Sequence, residues 1–323
     1  MPMGGPGMTA VRQCAVALML WVLAAAAPAQ NAWEADPEEI GYSRRGADTC
    51  YGCHGNEPGF QQDAMFLTPH GHPKDDRSPF GPGQLQCEAC HGPGGAHTSR
   101  VRRGETRPHM INFGEDELAP VEVQNGMCLT CHETHIGVNW DASPHGSDEV
   151  SCAGCHQVHI ARDPVSSDVT QPDVCYACHQ NVRGDFLKFS SHPVREAQMS
   201  CTGCHSPHGS MSDGLLVRNN LNETCYTCHA ELRGPFLWEH APVPDDCSNC
   251  HRPHGSNHPA MLQKRGPLLC QSCHAPAGHP SIPYTSAGLP SGTPNANLLS
   301  GNCMNCHMQV HGSNHPSGAA LMR

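Results

Sequence analysis

The sequence has little of the material from which a globular core is usually built. Aromatic residues make up 5% of its 323 residues and hydrophobic residues 37%, whereas it contains 33 Gly and 29 Pro. A chain of this composition buries too little apolar surface to offset the entropy of folding and is close in composition to disordered proteins. Covalent crosslinks and bound groups must therefore replace the missing core, as they do in small scaffolds.

Long apolar runs are also missing after the first 30 residues. The run from Cys14 to Ala27 spans about 14 residues, and a helix needs about 20 to cross a bilayer. Arg12 precedes this run, and Ala27-Pro28-Ala29 follows as a small-x-small cleavage site. Residues 1–29 are therefore predicted to be a secretory signal peptide, and residues 30–323 to be one exported domain.

Positive charge is scarce, because 19 Lys and Arg face 30 Asp and Glu, for a formal net charge of −11. Nucleic acid is therefore not expected as a partner. No stretch alternates long enough to predict a sheet. We expect short α-helices around the cysteines and in runs such as Arg183 to Ser190, joined by irregular loops with little or no β structure.

Cysteine followed by histidine is abundant. The pattern Cys-x-x-Cys-His occurs ten times and uses 20 of the 21 cysteines. In such a motif two thiols can bond to a haem while the adjacent imidazole binds its iron as the proximal ligand. A redox dithiol, a zinc site or a disulfide framework explains paired cysteines, but none explains the histidine that follows every pair. The motifs predict ten c-type haems.

The cofactor-binding and proximal positions follow directly from the motifs. The cysteines are Cys50, Cys53, Cys87, Cys90, Cys128, Cys131, Cys152, Cys155, Cys175, Cys178, Cys201, Cys204, Cys225, Cys228, Cys247, Cys250, Cys270, Cys273, Cys303 and Cys306. The proximal histidines are His54, His91, His132, His156, His179, His205, His229, His251, His274 and His307. With roughly 29 residues per haem, the chain is too short to give each haem its own domain of about 50 residues, so the haems must stack in one array.

Fifteen further histidines can supply the second iron ligands, and each interval after a motif contains at least one. Five intervals offer one choice, namely His159, His192, His208, His240 and His279. The other five offer two, namely His70 or His72, His97 or His109, His135 or His145, His254 or His258, and His311 or His315. This supply favours two histidines on every iron. Of His135 and His145, we prefer His145 because it lies in a Ser-Pro-His-Gly context. Met65, Met199, Met211 and Met308 are alternative ligands, but packing is the preferred role.

A histidine three or four residues past the proximal one, such as His159 after His156, lies on the same side of its turn and cannot reach across the porphyrin. It should therefore bind a different haem. Irons with two imidazoles have no open position, and the lysine-ligated motif Cys-x-x-Cys-Lys does not occur. We expect an electron-transfer protein; a multihaem reductase is the alternative, and a five-coordinate haem would indicate it.

Three segments resemble the periplasmic decahaem cytochromes of the MtrA/DmsE type. They are Arg233-Gly-Pro-Phe-Leu-Trp-Glu-His, Asp246-Cys-Ser-Asn-Cys-His-Arg-Pro-His-Gly-Ser and Asn302-Cys-Met-Asn-Cys-His-Met-Gln-Val-His-Gly-Ser. The resemblance extends from about Gly41 to the end. It implies a multihaem cytochrome c fold with an extended haem chain in two pentahaem halves, about 30–197 and 198–323. It also implies bis-histidine irons with distal ligands His70, His97, His145, His159, His192, His208, His240, His254, His279 and His311.

The resemblance further implies a location and partners. Family members lie in the periplasm against the outer membrane, inside a β-barrel porin, and connect periplasmic or inner-membrane cytochromes with an outer-surface multihaem cytochrome or a terminal reductase. Such conduits serve metal reduction, dimethyl sulfoxide respiration or iron oxidation. A free periplasmic electron carrier would have the same motifs and is the second possibility.

Overall fold

The computed structural model describes residues 31, 33–34, 36–55, 62–114, 119–136, 139–274, 302–316 and 318–322. The predicted signal peptide, Cys14 and His279 lie outside these ranges. The α-helices of the described residues are α1 Pro37–Ile40, α2 Ala47–His54, α3 Glu88–His91, α4 Gly95–Thr98, α5 Val121–Ile136, α6 Pro144–Ser147, α7 Cys152–Cys155, α8 Gln171–Tyr176, α9 Gln180–Phe186, α10 Leu221–Tyr226, α11 Pro242–Asp245 and α12 Gly266–Cys270.

Short 3₁₀ helices and loops make up much of the rest. The 3₁₀ helices are Gln62–Leu67, Pro69–Gly71, Pro164–Ser166, Cys201–Gly203, Asp213–Leu215, Ala230–Leu232, Cys247–Asn249, Pro259–Met261 and Cys303–Asn305. Within the described ranges β structure is limited to isolated bridges, such as Ser190 with Ser256 and Trp238 with Ser313. The predicted fold of short helices and loops without a sheet is confirmed. No helix in this part of the chain is both long and apolar enough to span a membrane.

The short helices at the fourth, eighth and tenth motifs begin with a side-chain cap. Ser151 Oγ accepts a hydrogen bond from the Ala153 amide at the start of α7. Asp246 Oδ1 accepts one from Ser248 N before Cys247–Asn249, and Asn302 Oδ1 one from Met304 N before Cys303–Asn305. Such caps satisfy an otherwise unpaired amide, which allows a single turn to form without a longer helix.

Helix α9 does not cover the run expected from Arg183 to Ser190. It begins earlier, at Gln180, and ends at Phe186. Ser190 instead exchanges two backbone hydrogen bonds with Ser256, at 2.9 and 2.8 Å. This bridge requires extended backbone at Ser190, so the helix must end before it.

The apolar core of the described residues is small. Tyr176, Phe186 and Val194 form a buried cluster, against which Val182 and Met199 pack. By contrast, large apolar side chains such as Phe189 and Val169 are 78% and 71% exposed. Polypeptide packing alone therefore leaves much apolar surface uncovered, as the composition predicts.

Buried amide side chains link neighbouring motifs, and sequence reasoning did not identify them. Asn125 Oδ1 accepts a hydrogen bond from Cys152 N at 2.8 Å, and Asn222 Oδ1 accepts one from Cys247 N at 2.8 Å. Gln171 Oε1 accepts one from Thr202 N at 3.2 Å. Each amide precedes an odd-numbered motif and binds the backbone of the next motif. A buried amide is costly unless it is paired, so these bonds fix the two motifs relative to each other.

Candidate haem-binding sites

The first cysteines of successive motifs meet in pairs. Hydrogen-bonding or electrostatic contact joins their thiols in five pairs, Cys50 with Cys87, Cys128 with Cys152, Cys175 with Cys201, Cys225 with Cys247, and Cys270 with Cys303. When the cysteines are free thiols, the hydrogen bond with Cys87 lowers the pKa of Cys50 to about 7. The hydrogen bond with Cys175 likewise lowers the pKa of Cys201 to about 7. The ten motifs are thus arranged as five pairs.

The second cysteines connect one pair to the next. Three such electrostatic interactions act between neighbouring pairs, Cys90 with Cys131, Cys204 with Cys228, and Cys250 with Cys273. Between the fourth and fifth motifs Cys155 interacts with Cys175, as Cys90 does with Cys128, Cys204 with Cys225 and Cys250 with Cys270. The described motifs that follow one another in the sequence are therefore neighbours in space.

Within the described residues, nine motif histidines face a second imidazole. The pairs, with the distance between ring centroids, are His54–His97 6.3 Å, His70–His132 5.8 Å, His91–His159 5.9 Å, His145–His179 6.2 Å, His156–His208 6.0 Å, His192–His229 6.4 Å, His205–His254 5.9 Å, His240–His274 6.0 Å and His251–His311 6.1 Å. In every pair the partner of the motif histidine belongs to the predicted distal set.

These distances suit an iron placed between the rings. A metal–imidazole nitrogen bond is about 2 Å long and the ring centre lies roughly 1.1 Å beyond, so opposite ligands of one iron have centroids roughly 6.3 Å apart. A direct hydrogen bond between two ring nitrogens would bring the centroids to roughly 5.2 Å. The observed range of 5.8 to 6.4 Å is close to the first value. The residues present therefore fit a bis-histidine haem.

The pairing crosses between motifs, as the spacing argument requires. His156 of the fourth motif faces His208, which follows the sixth, and His205 of the sixth faces His254, which follows the eighth. The third, fifth, seventh and ninth motifs pair in the opposite direction, so that His179 of the fifth faces His145, which follows the third. His54 of the first motif faces His97, which follows the second. In each described pair the second histidine comes from the interval of another motif, which interlocks neighbouring sites.

Two of the histidines considered as distal ligands are not members of these pairs. His279, a predicted distal ligand, lies outside the described residues. The side chain of His135 is also outside the described part, while His145 faces His179. Of the alternative methionine ligands, Met65 is buried, whereas Met211 is 89% exposed.

Hydrogen bonds at Nδ1 orient many of these rings. Motif histidines bond backbone carbonyls, His91 with Ile111 O at 2.7 Å, His205 with Gly214 O at 2.7 Å, His251 with Ala260 O at 2.8 Å and His307 with Ala320 O at 2.6 Å. A carbonyl acceptor requires the proton on Nδ1 and leaves the Nε2 lone pair for a metal. The backbone thus selects the tautomer that an axial ligand needs.

The histidines from odd-numbered intervals bond carbonyls of distant loops. His145, His192 and His240 donate from Nδ1 to Pro207 O, Pro253 O and Val310 O, at 2.9, 2.7 and 2.9 Å. Each carbonyl belongs to the residue immediately before another distal histidine, His208, His254 or His311. Each of these hydrogen bonds therefore connects two candidate iron sites from different parts of the chain and couples their geometry.

Desolvation favours the neutral form of several distal imidazoles and of His91. Burial lowers the pKa of His70, His91, His159, His208, His254 and His311. At His254 and His311 the facing motif histidine lowers the pKa further. Because only a neutral imidazole can bind a metal, this environment favours the ligating form.

The glycine after the distal histidine allows a close approach that no other residue permits. At Gly255 φ is +150°, and an added Cβ would lie 2.1 Å from Asp185 O. Gly209, after His208, has φ of +113° and a Cβ position 2.4 Å from Asn139 O. The Pro-His-Gly sequence thus combines a carbonyl acceptor, a ligand and a close backbone contact.

We predict that Gly255→Ala lowers the stability of the haem-loaded protein by about 3 kcal/mol, because backbone strain and the clash with Asp185 add. The measurement is the thermal unfolding midpoint. Gly184→Ala in α9 is the control, since its Cβ meets nothing within 4 Å and it should change stability by less than about 1 kcal/mol. Equal midpoints for the two variants would contradict the role of Gly255.

Comparison with known proteins gives consistent matches. Residues 192–234 and 240–279 match the family described as "Doubled CXXCH motif", and residues 87–170 match the family "Cytochrome c-type protein NrfB-like". The chain is also 48% identical over 287 residues to "Multiheme cytochrome MtrA" of Shewanella baltica (strain OS185), which covers 88% of this chain and 84% of that protein.

Proposed function

Because the chain belongs to the family of multihaem c-type cytochromes that includes MtrA, we propose that it is a periplasmic decahaem conduit for electrons. Each Cys-x-x-Cys-His motif holds one haem through its two cysteines, and its histidine is the proximal ligand. The distal ligands are His70, His97, His145, His159, His192, His208, His240, His254, His279 and His311. The observation that carries the proposal is the set of nine imidazole pairs at 5.8 to 6.4 Å.

The residues of this chain perform three tasks in that function. Cysteine pairs fix each group covalently, imidazoles approach from both faces, and carbonyls at Nδ1 hold the ring tautomer. A haem with two imidazole ligands supplies one-electron transfer and has no open position for a substrate. The protein sets the potentials through ligand type, burial and charge.

The order of the motifs supports a conduit with two ends. Cysteine contacts connect each motif to the next along the chain, so the first motif at Cys50 and the last at Cys303 are the ends of the series. Electrons entering at one end can leave at the other only if neighbouring sites stay in contact. We propose that an outer-membrane β-barrel porin surrounds the chain, and that a periplasmic or inner-membrane cytochrome and an outer-surface cytochrome or reductase meet the two ends.

The porin association is tested by purifying the affinity-tagged chain from detergent-solubilised outer membranes of its own host. We expect a β-barrel protein to co-purify in a fixed ratio with a ten-haem cytochrome. A parallel extraction of the soluble periplasm is the control for free protein. Recovery of nearly all the cytochrome from that fraction, without a barrel, would favour a free electron carrier instead.

Conduction across a membrane is tested with the same complex in lipid vesicles that contain a reduced dye. An oxidant added outside should oxidise the dye only when both cytochrome and barrel are present. Vesicles with the barrel alone are the control for leakage. Equal oxidation in those vesicles would contradict the conduit.

A further inference from the structure

One motif histidine donates its Nδ1 hydrogen bond to a carboxylate instead of a carbonyl. His156 Nδ1 lies 2.7 Å from Asp163 Oδ2. The other even-numbered motif histidines, His91, His205, His251 and His307, bond main-chain carbonyl oxygens. The fourth site therefore differs from these four in the charge of the group behind its proximal ligand.

The carboxylate of Asp163 is held in a defined position. Its Oδ1 accepts hydrogen bonds from Gln157 N at 3.2 Å and from Val165 N at 3.4 Å, the second as the cap of the turn Pro164–Ser166. The Asp163 side chain is 21% exposed and that of His156 is 43% exposed. The backbone thus directs Oδ2 at the imidazole, which an unrestrained surface aspartate would not do.

A carboxylate acceptor changes the ligand itself. A charge-assisted hydrogen bond is roughly twice as strong as a neutral one, and it draws the Nδ1 proton away from the ring. The imidazole then becomes more electron-rich and a stronger donor to the metal at Nε2. A stronger donor stabilises the ferric over the ferrous state, which lowers the reduction potential.

We propose that Asp163 is a potential-tuning residue that lowers the reduction potential of the fourth haem, the one held by His156 and His208. This inference rests on the proposed function, because it assumes the bis-histidine site. The consequence is a local minimum of potential within the haem series, at the fourth haem. An electron that moves onto this haem from a neighbour would therefore take an uphill step in free energy.

A second carboxylate offers a matched control. Glu231 Oε1 lies 3.7 Å from His229 Nδ1, beyond hydrogen-bond distance, and the two side chains are 68% and 52% exposed. Glu231→Gln therefore removes the same charge near a proximal histidine without removing a hydrogen bond. Any general effect of lost negative charge should be similar in both variants.

The test is a redox titration of the ten-haem protein carrying Asp163→Asn, followed by optical and electron paramagnetic resonance spectra. We expect the midpoint potential of one haem to rise by about 59 mV, a tenfold change in its one-electron equilibrium constant. Asp163→Glu should restore a low potential, and Glu231→Gln should leave the titration close to that of the unsubstituted protein. Ten low-spin haems with an unchanged titration in Asp163→Asn would overturn the inference.

The unsubstituted protein provides a second measurement in case Asp163→Asn does not accumulate. In the reduced, diamagnetic protein labelled with ¹⁵N-histidine, one Nδ1 proton should resonate downfield of the carbonyl-bonded protons, because its bond to the carboxylate is stronger. Absence of such a resonance would also overturn the role of Asp163. A protein with fewer than ten haems, or with high-spin irons, would instead defeat the proposed function on which the inference rests.

Discussion

The polypeptide, when it is produced without haem attachment, should not fold at all. A variant that lacks residues 1–29, the predicted signal peptide, should stay in the cytoplasm, where we expect its thiols to remain unmodified. The buried apolar cluster around Tyr176 and Phe186 is too small to offset the conformational entropy of 294 residues, which costs about 1 to 2 kcal/mol per residue. We expect a radius of gyration of about 60 Å, as for an unfolded chain, instead of about 19 Å for a compact one.

The measurements are small-angle scattering and far-ultraviolet circular dichroism during heating. The exported, haem-loaded protein with the same residues is the control and should unfold cooperatively. Cooperative unfolding of the haem-free chain would show that the polypeptide core suffices. The central role given to the cofactors would then be wrong.

Replacing one distal histidine should change one haem in ten from six-coordinate to five-coordinate. His254→Ala removes the ring that faces His205 at 5.9 Å and packs against Phe186 at 5.5 Å. The open iron should become high-spin and bind carbon monoxide, with a signal equal to about one tenth of the haem. Added imidazole should restore the low-spin state, because it can occupy the vacated ligand position.

His258→Ala is the matched control, since it removes a histidine only four residues further along the same loop. His258 is the alternative that the sequence offers for this interval, and the structure places His254 opposite His205. We expect His258→Ala to leave all haems low-spin. A high-spin signal in His258→Ala, and none in His254→Ala, would show that His258 is the iron ligand and that His254 is not.

The sequence predicts most of the chemistry of these sites because haem attachment is local. Cysteine pairs and proximal histidines are fixed by a spacing of five residues, and short helices follow from the frequent Gly and Pro. The distal set can also be predicted in part, since five intervals contain only one histidine besides the motif histidine. The spacing of His159 further predicts that it cannot serve its own haem.

The pairing itself could not be read from the sequence. His156 meets His208 two motifs further along, while His179 meets His145 two motifs back, and these directions depend on how loops pack. Asn125, Asn222 and Gln171 were also missed, because a buried amide that links two motifs has the same sequence signal as a surface amide. In retrospect their position three or four residues before an odd-numbered motif was the available signal.

The role of Asp163 illustrates the same limit. In the sequence it is one of 30 acidic residues, seven positions after a motif histidine. Only the turn Pro164–Ser166, which aims its carboxylate at His156, distinguishes it from the others. Ligand identity is thus largely local information, whereas the environment that sets a potential is tertiary.

The central claim is that ten irons in one chain are each held by two imidazoles. Near-infrared magnetic circular dichroism of the oxidised, unsubstituted protein tests it most directly, because the charge-transfer band identifies the two axial ligands and its intensity counts the haems. The account predicts bis-histidine intensity equal to ten haems per chain. Intensity for fewer than ten, or a band from methionine-ligated or high-spin haem, would contradict it.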